Sequence, residues 1–581
     1  MKRLIVMGVL LAGLSPAARL WAQSGKQMVI EQSDELSYSG SAGVRALKGN
    51  VRLRHNQTIL YCDSALMFDG GEQARAYGRV RIVEPGESLV VRCRYLEFDA
   101  RTESARLYQD VQLTDDVMQL LAPELNYNTA RREVTFSQGA RIEDGNARLS
   151  SRLGRYEVES GEMHFARDVR LTEDSMRLTT DSLRYNRRLG RMYFVAPTDI
   201  VNPDSRAATT GGWYDLRSRV GHLYPYCTVV HADRHYLWAD SLYFNQNRGS
   251  GWASGRVQWV DTVQGMEIRA GFLQFDRSTG RYQAWDHPLI RTFGQAGGGD
   301  TAARQPSVEE AGAADTLSLT ADTLLALRVW NGTGIRPHDS VSPYTSPSPS
   351  PATPGDSCWT FTAWGQVAGQ NADGWLRCDS LVYREADSLA LLMGTPLLWP
   401  ASFQLSGPFM RFMRNRGNSG QLELPEGGVV AEQLPDSLFH QIAASQMRVE
   451  FDSGAIHYLH AVGEVLTLYH VPDEDSGFVG VNRVAADSLD MYFSQQRPSR
   501  MVFHGKPEGV LWPPRQVPEG EDTARGFRWQ GLQKQQAQAR MRDSMLKNPD
   551  RGGYGLFPRR PKSTTPGLME ERTPRRRGRR R

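Results

Sequence analysis

Little in this 581-residue chain invites a catalytic reading. It holds five cysteines, Cys62, Cys93, Cys227, Cys358 and Cys378, and no two of them stand at C-x-x-C spacing. That excludes zinc ribbons and thioredoxin-like redox pairs, and five is too odd and too sparse for a disulfide scaffold. One or two bridges would suit an oxidising compartment, but buried small side chains in strands are the better expectation. The 12 histidines are scattered without ligand spacing, and G-x-S-x-G, P-loop and H-E-x-x-H motifs are missing. No enzyme, metal or cofactor is expected. Net charge is only +4, which disfavours a nucleic-acid clamp. After Ala22 no stretch approaches the roughly 20 apolar residues of a membrane-spanning helix. Helical i, i+3, i+4 periodicity is absent from the first half.

The two ends are compositionally distinct. Lys2 and Arg3, the apolar run Leu4 to Leu14, and the small-residue site before Gln23 read as a signal peptide over 1–22. The mature protein is expected to be exported to the periplasm, with association to the outer membrane left open. The last residues, Arg575 to Arg581, are six arginines and one glycine, and such a run stays solvated. It could touch anionic headgroups or a partner; a nonspecific tail is at least as good a reading.

What is present is a repeat. Tyr38, Phe68, Phe98, Tyr127, Tyr156, Tyr185, Tyr214, Phe244 and Phe275 are aromatic anchors spaced 29 to 31 residues apart. Most follow an apolar residue two positions earlier, as in Asp181-Ser182-Leu183-Arg184-Tyr185. Some 10 to 12 residues after most anchors comes Gly or Asp and then alternating apolar positions, as in Gly49-Asn50-Val51-Arg52-Leu53 and Asp168-Val169-Arg170-Leu171. Alternation over such short runs means half-buried strands, with Gly and Asp as turn residues. Each repeat should supply at least two short strands that hide their apolar face only by stacking, giving an all-β, elongated, twisted jelly roll or sandwich of antiparallel repeats.

The expected organisation is a signal peptide over 1–22, repeats over 23–294, and low-complexity inserts around one strand over 295–372. A second block of repeats follows over 373–512, then a disordered basic tail over 513–581. The inserts are Gln295 to Ala314 and Pro337 to Asp356. Within the tail a short helix near Gln530 to Met545 is the one ordered element foreseen.

The Asp-Ser-Leu-x-Tyr and Gly-x-Val-x-Leu strands, from about Ile30 to Arg291 and again from Asp373 to Trp512, resemble the OstA-like family, which includes LptA and the N-terminal domain of LptD. The resemblance implies a twisted β-jellyroll that carries lipopolysaccharide across the periplasm, acyl chains held between its sheets, with no catalysis. It also implies other lipopolysaccharide-transport proteins at the inner and outer membranes as partners, joined through edge strands, and allows head-to-tail self-association. The chain departs from a compact LptA in length, inserts and tail, and it has no evident barrel to complete an LptD. The longer OstA-like proteins of some Gram-negative groups look closer.

Alternation assigns the interior stripe to Leu36, Tyr38, Leu66, Phe68, Leu96, Phe98, Leu125, Tyr127, Leu183, Tyr185, Leu242 and Phe244, facing Val51, Val80, Val111 and Val169. Under the resemblance these are the lipid-binding residues, along a seam open on one edge; by pattern alone such a stripe is more often plain core. Arg52, Arg79, Arg81, Arg141 and Arg170 fall outward or at the rim, where guanidinium forks suit phosphate but a solvated face is commoner. The competing function is a carbohydrate-binding or polysaccharide-active β-solenoid, which predicts a charged cluster confined to one or two rungs; none is evident. A structural envelope repeat is a third reading.

Overall fold

The computed structural model describes residues 27–550, apart from 41–42, 87, 233, 264, 293–316, 331–356, 415–418, 453, 474–476, 496 and 514–515. The expected signal peptide, both low-complexity inserts and the arginine run therefore lie outside the described residues.

Those residues form forty-two strands in one antiparallel ladder, and a single α-helix. The ladder has two limbs. Val44–His55 pairs with Thr58–Phe68 along its length, but the register slips between Lys48 and Val51. The next strands slip at Tyr61/Ser64, Tyr77/Val80, Arg92/Tyr95 and Tyr108/Val111. Each slip is a bulge that bends the strand. Beyond Met118–Asn128 the bend becomes a break, because one half of that strand pairs with Ala140–Asp144 and the other with Glu133–Phe136. Long bent strands and pairs of half-strands then alternate, and the limbs diverge from the line of bulges with their apolar faces turned inward.

This corrects the role given to the glycine element. It was read as a turn between two short strands, yet Gly49 and Gly78 sit inside long ones, at φ of +76° and +91°. Those left-handed positions suit glycine. The acid that opens the preceding motif explains the pairing of the two elements. A Cβ on Gly78 would lie 2.3 Å from Asp63 Oδ2, and Asp63 accepts from Arg79 N and Nε at 3.1 Å each. The same clasp joins Asp240 to Gly255 and Arg256. Elsewhere the charges are exchanged, as in Arg94–Asp110 and Arg152–Asp168, both at 2.9 Å. All four pairs span 16 residues.

One repeat is thus two passes of the chain and advances the ladder by roughly 10 Å. A single apolar core runs the whole way, from Met28 to Met491.

From Pro513 the structure differs from a mostly unfolded tail. Residues 516–550 form a strap that runs back over the outer face of the second block and reaches the last rungs of the first, where Asn548 donates to His287 O at 2.9 Å and Asp550 meets Arg269 at 2.8 Å. Gln441, 3% exposed, donates to Asp522 O at 3.1 Å and accepts from Ala524 N at 2.8 Å. Gln404, 1% exposed, repeats the clamp on Arg528 O and Gln530 N, at 2.8 and 2.7 Å. Buried amides on a sheet face need such partners, so the strap and the glutamines satisfy one another. The helix Gly531–Lys547 follows, burying Ala537, Met541 and Ser544, with Ser544 Oγ 2.7 Å from Thr320 Oγ1. Among the described residues no helix is long and apolar enough to cross a membrane.

Candidate functional site

The interior between the limbs gathers most of the stripe read from alternation. Leu96, Phe98, Leu125, Tyr127, Leu183, Tyr185 and Leu242 are buried in it, as are Val51, Val80, Val111 and Val169. Phe244 is half-buried and packs against the same core.

Four assignments are corrected. Leu66 and Phe68 are half-buried on the outer face, and Ala65 and Met67, both 1% exposed, point inward instead. In this copy of the motif the inward places, held by Leu183 and Tyr185 in a later one, fall to Ala65 and Met67, and a one-residue offset puts Leu66 and Phe68 on the other face. Leu36 and Tyr38 are 59% and 66% exposed. Leu36 lies opposite the buried Leu47, so it shares the inward face, but its strand, Glu35–Ser39, is the end rung and no described residue covers it.

The open groove is also corrected. Leu96, Leu107, Leu113, Leu120 and Leu125 are all 0% exposed, so no water-sized space adjoins them. Two interior gaps, of about 10 Å³ beside Leu53 and Phe98 and about 20 Å³ beside Phe403 and His440, hold at most a water. In this state the limbs are shut.

What shuts them is a line of polar contacts where the hairpin tips of the two limbs meet. Tyr127 donates across the mouth to Glu84 at 2.7 Å, Tyr156 to Asp115 at 2.5 Å and Tyr185 to Asp144 at 3.2 Å. Arg187, 14% exposed in its side chain, reaches Asp115 at 3.2 Å, Asp144 at 3.5 Å and Asp116 at 3.7 Å. Further along, Arg219 meets Asp174 at 3.1 Å and Arg277 meets His231 at 2.6 Å. Burial and the adjacent Asp115 push the Tyr156 phenol upward, which keeps it a donor. Burial works against the charge on Arg187, but Asp144, Tyr156 and Asp115 outweigh it and hold the guanidinium above its ordinary value. Hydrogen bonds to charged groups are worth about 1.5–3 kcal/mol each, so parting one rung costs a few kcal/mol.

The tyrosines of this seam are anchors of the repeat, but its acids and arginines were missed, although a signal existed for the acids. Glu84, Asp115, Asp144 and Asp174 are spaced 31, 29 and 30, the period of the anchors. Their partners lie 41 to 72 residues away, beyond any local pattern. Among the described residues no group of three His, Cys, Asp or Glu is arranged to hold a metal.

Residues 25–181 match the family described as OstA-like protein. The matched stretch, which is similar to that family, holds the first interior rungs and the Tyr127, Tyr156 and Glu84 part of the seam. A solved structure similar to part of the chain is LptH, "the LptA homologous periplasmic component of the conserved lipopolysaccharide transport device from Pseudomonas aeruginosa". It is 15% identical, with 19% of this chain and 80% of that chain covered and a TM-score of 0.17. Comparison with the curated proteins gives no match.

Proposed function

We propose that the protein is an exported carrier of lipopolysaccharide in the periplasm, taking the acyl chains between its limbs and bridging the inner to the outer membrane. One observation carries this reading: the apolar interior is unbroken over the ladder, from Met28 to Met491, with every rung offering similar surface. Each methylene removed from water gains about 0.8 kcal/mol, so a tail of about twelve gains roughly 10 kcal/mol. Interior surface uncovered as the limbs part is covered again by the tail, which leaves the seam contacts as the main cost. Near-equal rungs then let the tail slide. No reaction is needed.

The ends support a bridge. Val29–Gln32 and Glu35–Ser39 at one end, and Arg497–His504 and Glu508–Trp512 at the other, pair on one side only among the described residues. Val29, Leu36 and Tyr38, and at the far end Val510 and Leu511, are exposed beside them. Open edges with apolar side chains suit strand addition by other transport proteins or a second copy.

The test is photo-crosslinking in cells from Leu125 and Leu183, which point inward, and from Asn126, which points out. Lipopolysaccharide adducts at the two leucines and none at Asn126 are expected. Adducts absent from both leucines would end the reading.

A further inference from the structure

Outside the roll, at the N-terminal end of the ladder, lies an open trough of about 1360 Å³ along the line of bulges. Five arginines and two aspartates line it, an excess of three positive charges. Three of the arginines are committed: Arg52 to Glu31 at 2.7 Å, Arg79 to Asp63 at 3.0 Å and Arg94 to Asp110 at 2.9 Å. The other two are not. Arg81 and Arg92 stand directly opposite one another on neighbouring strands, both exposed, and neither has an acidic partner among the described residues.

Like charges facing each other across a ladder repel, and a sheet normally avoids the arrangement. Arg81 is nevertheless held in place, its guanidinium lying over the Tyr61 ring, 4.5 Å from the centroid, with Arg52 at 5.6 Å from the same ring. Two guanidinium forks on directly opposed residues, one of them held over a ring, match a tetrahedral dianion, which each can grip with paired N–H groups. The trough is much wider than a bare oxyanion needs. Polar Asn50 and Gln109 and the phenols of Tyr77 and Tyr95 line the remainder.

We infer that Arg81 and Arg92 form a binding site for a phosphate monoester, carried on a polar group large enough to occupy the trough. The site is on the outer face, separate from the apolar interior, and it stands or falls independently of acyl-chain binding.

The test is calorimetric titration of the full chain with glucosamine 6-phosphate, inorganic phosphate and unphosphorylated glucosamine, in salt of roughly 0.15 M to screen diffuse attraction. Glucosamine 6-phosphate should bind at least tenfold more tightly than glucosamine. The double variant Arg81→Gln/Arg92→Gln should weaken it tenfold or more, while Arg141→Gln, an exposed arginine outside the trough, should leave it unchanged. All three side chains are exposed, so an unchanged thermal midpoint will show that the variants fold. Tighter binding of the sugar phosphate than of inorganic phosphate assigns the site to a phosphorylated headgroup or sugar; equal binding assigns it to the free anion. No binding of either phosphate, or binding that the double variant retains, overturns the inference.

Discussion

The first block of the ladder and the second solve the same problem differently. Both must close an apolar interior between two limbs. In the first, tyrosines and arginines on one set of hairpin tips meet carboxylates on the other, as in Tyr156–Asp115 and Arg187–Asp144. In the second, rings meet at the mouth, where Phe403 packs edge-on against Phe493 at 5.9 Å, and beside it His440 stacks on Tyr469 of the neighbouring strand at 4.2 Å. The second block also carries the strap on its back, and among the described residues the strap makes no contact with Val44–Asn128. A polar seam is directional and can re-form after it opens. An aromatic mouth with a brace behind it favours staying shut. On the proposed function, the first block is where the limbs part.

The largest predicted effect lies deepest. Leu125→Ala removes a side chain with no exposed surface and should cost about 2–5 kcal/mol, read as a lower denaturation midpoint of the first block. Hydrogen exchange in the strap should stay as it is. If the strap loosens too, the blocks are not separable and the comparison fails.

Next comes the seam. Arg187→Ala leaves Asp115 and Asp144 without their shared cation; for a partly exposed group this falls toward the low end of the ~3–5 kcal/mol lost on breaking buried pairs. Amides near Asp115 and Asp144 should exchange faster, and detergent-sized apolar probes should enter the first block more readily. Unaltered exchange at those tips would show that packing alone shuts the limbs.

Gln404→Ala and Gln441→Ala test the brace. Each strands a main-chain donor and acceptor of the strap, at roughly 1–3 kcal/mol. Protection should fall over Asp522 to Gln530 and remain over Val44–Asn128. Equal losses in both stretches would mean that the strap braces the whole ladder.

The last effect, spread over more than two pH units, is in pH. Burial, with His470 nearby, lowers His440 from 6.5 to about 4, and its Nδ1 accepts the His470 N–H at 3.1 Å, which a protonated ring nitrogen could not do. The unfolded chain takes up this proton near pH 6.5, the folded chain only near 4. This contribution is therefore complete above 6.5 and declines as pH falls from 6.5 to about 4. The thermal midpoint of the second block should follow that slope, and His440→Phe should flatten it.

Much of the site was legible from alternation, and its failures are instructive. Leu125 and Tyr127 turn inward, as the position of the aromatic anchor predicts. Leu66 and Phe68 are one residue off because this copy of the motif reads Asp63-Ser64-Ala65-Leu66-Met67, so that Ala65 and Met67 take the inward places of Leu183 and Tyr185 and the aromatic Phe68 falls just past the anchor position. Gln404 and Gln441 gave no local warning, since a glutamine clamped on a strap reads like any outward polar residue.

By itself, the sequence determined the antiparallel strands, their period of about 29 residues and the apolar content of the interior, all set by side-chain order over a few neighbouring positions. Only the tertiary structure decided the face each strand turns inward past its bulge, the closure of the seam and the docking of the strap. Those depend on partners 41 to more than 120 residues apart, whose meeting is a matter of three-dimensional register rather than of local propensity.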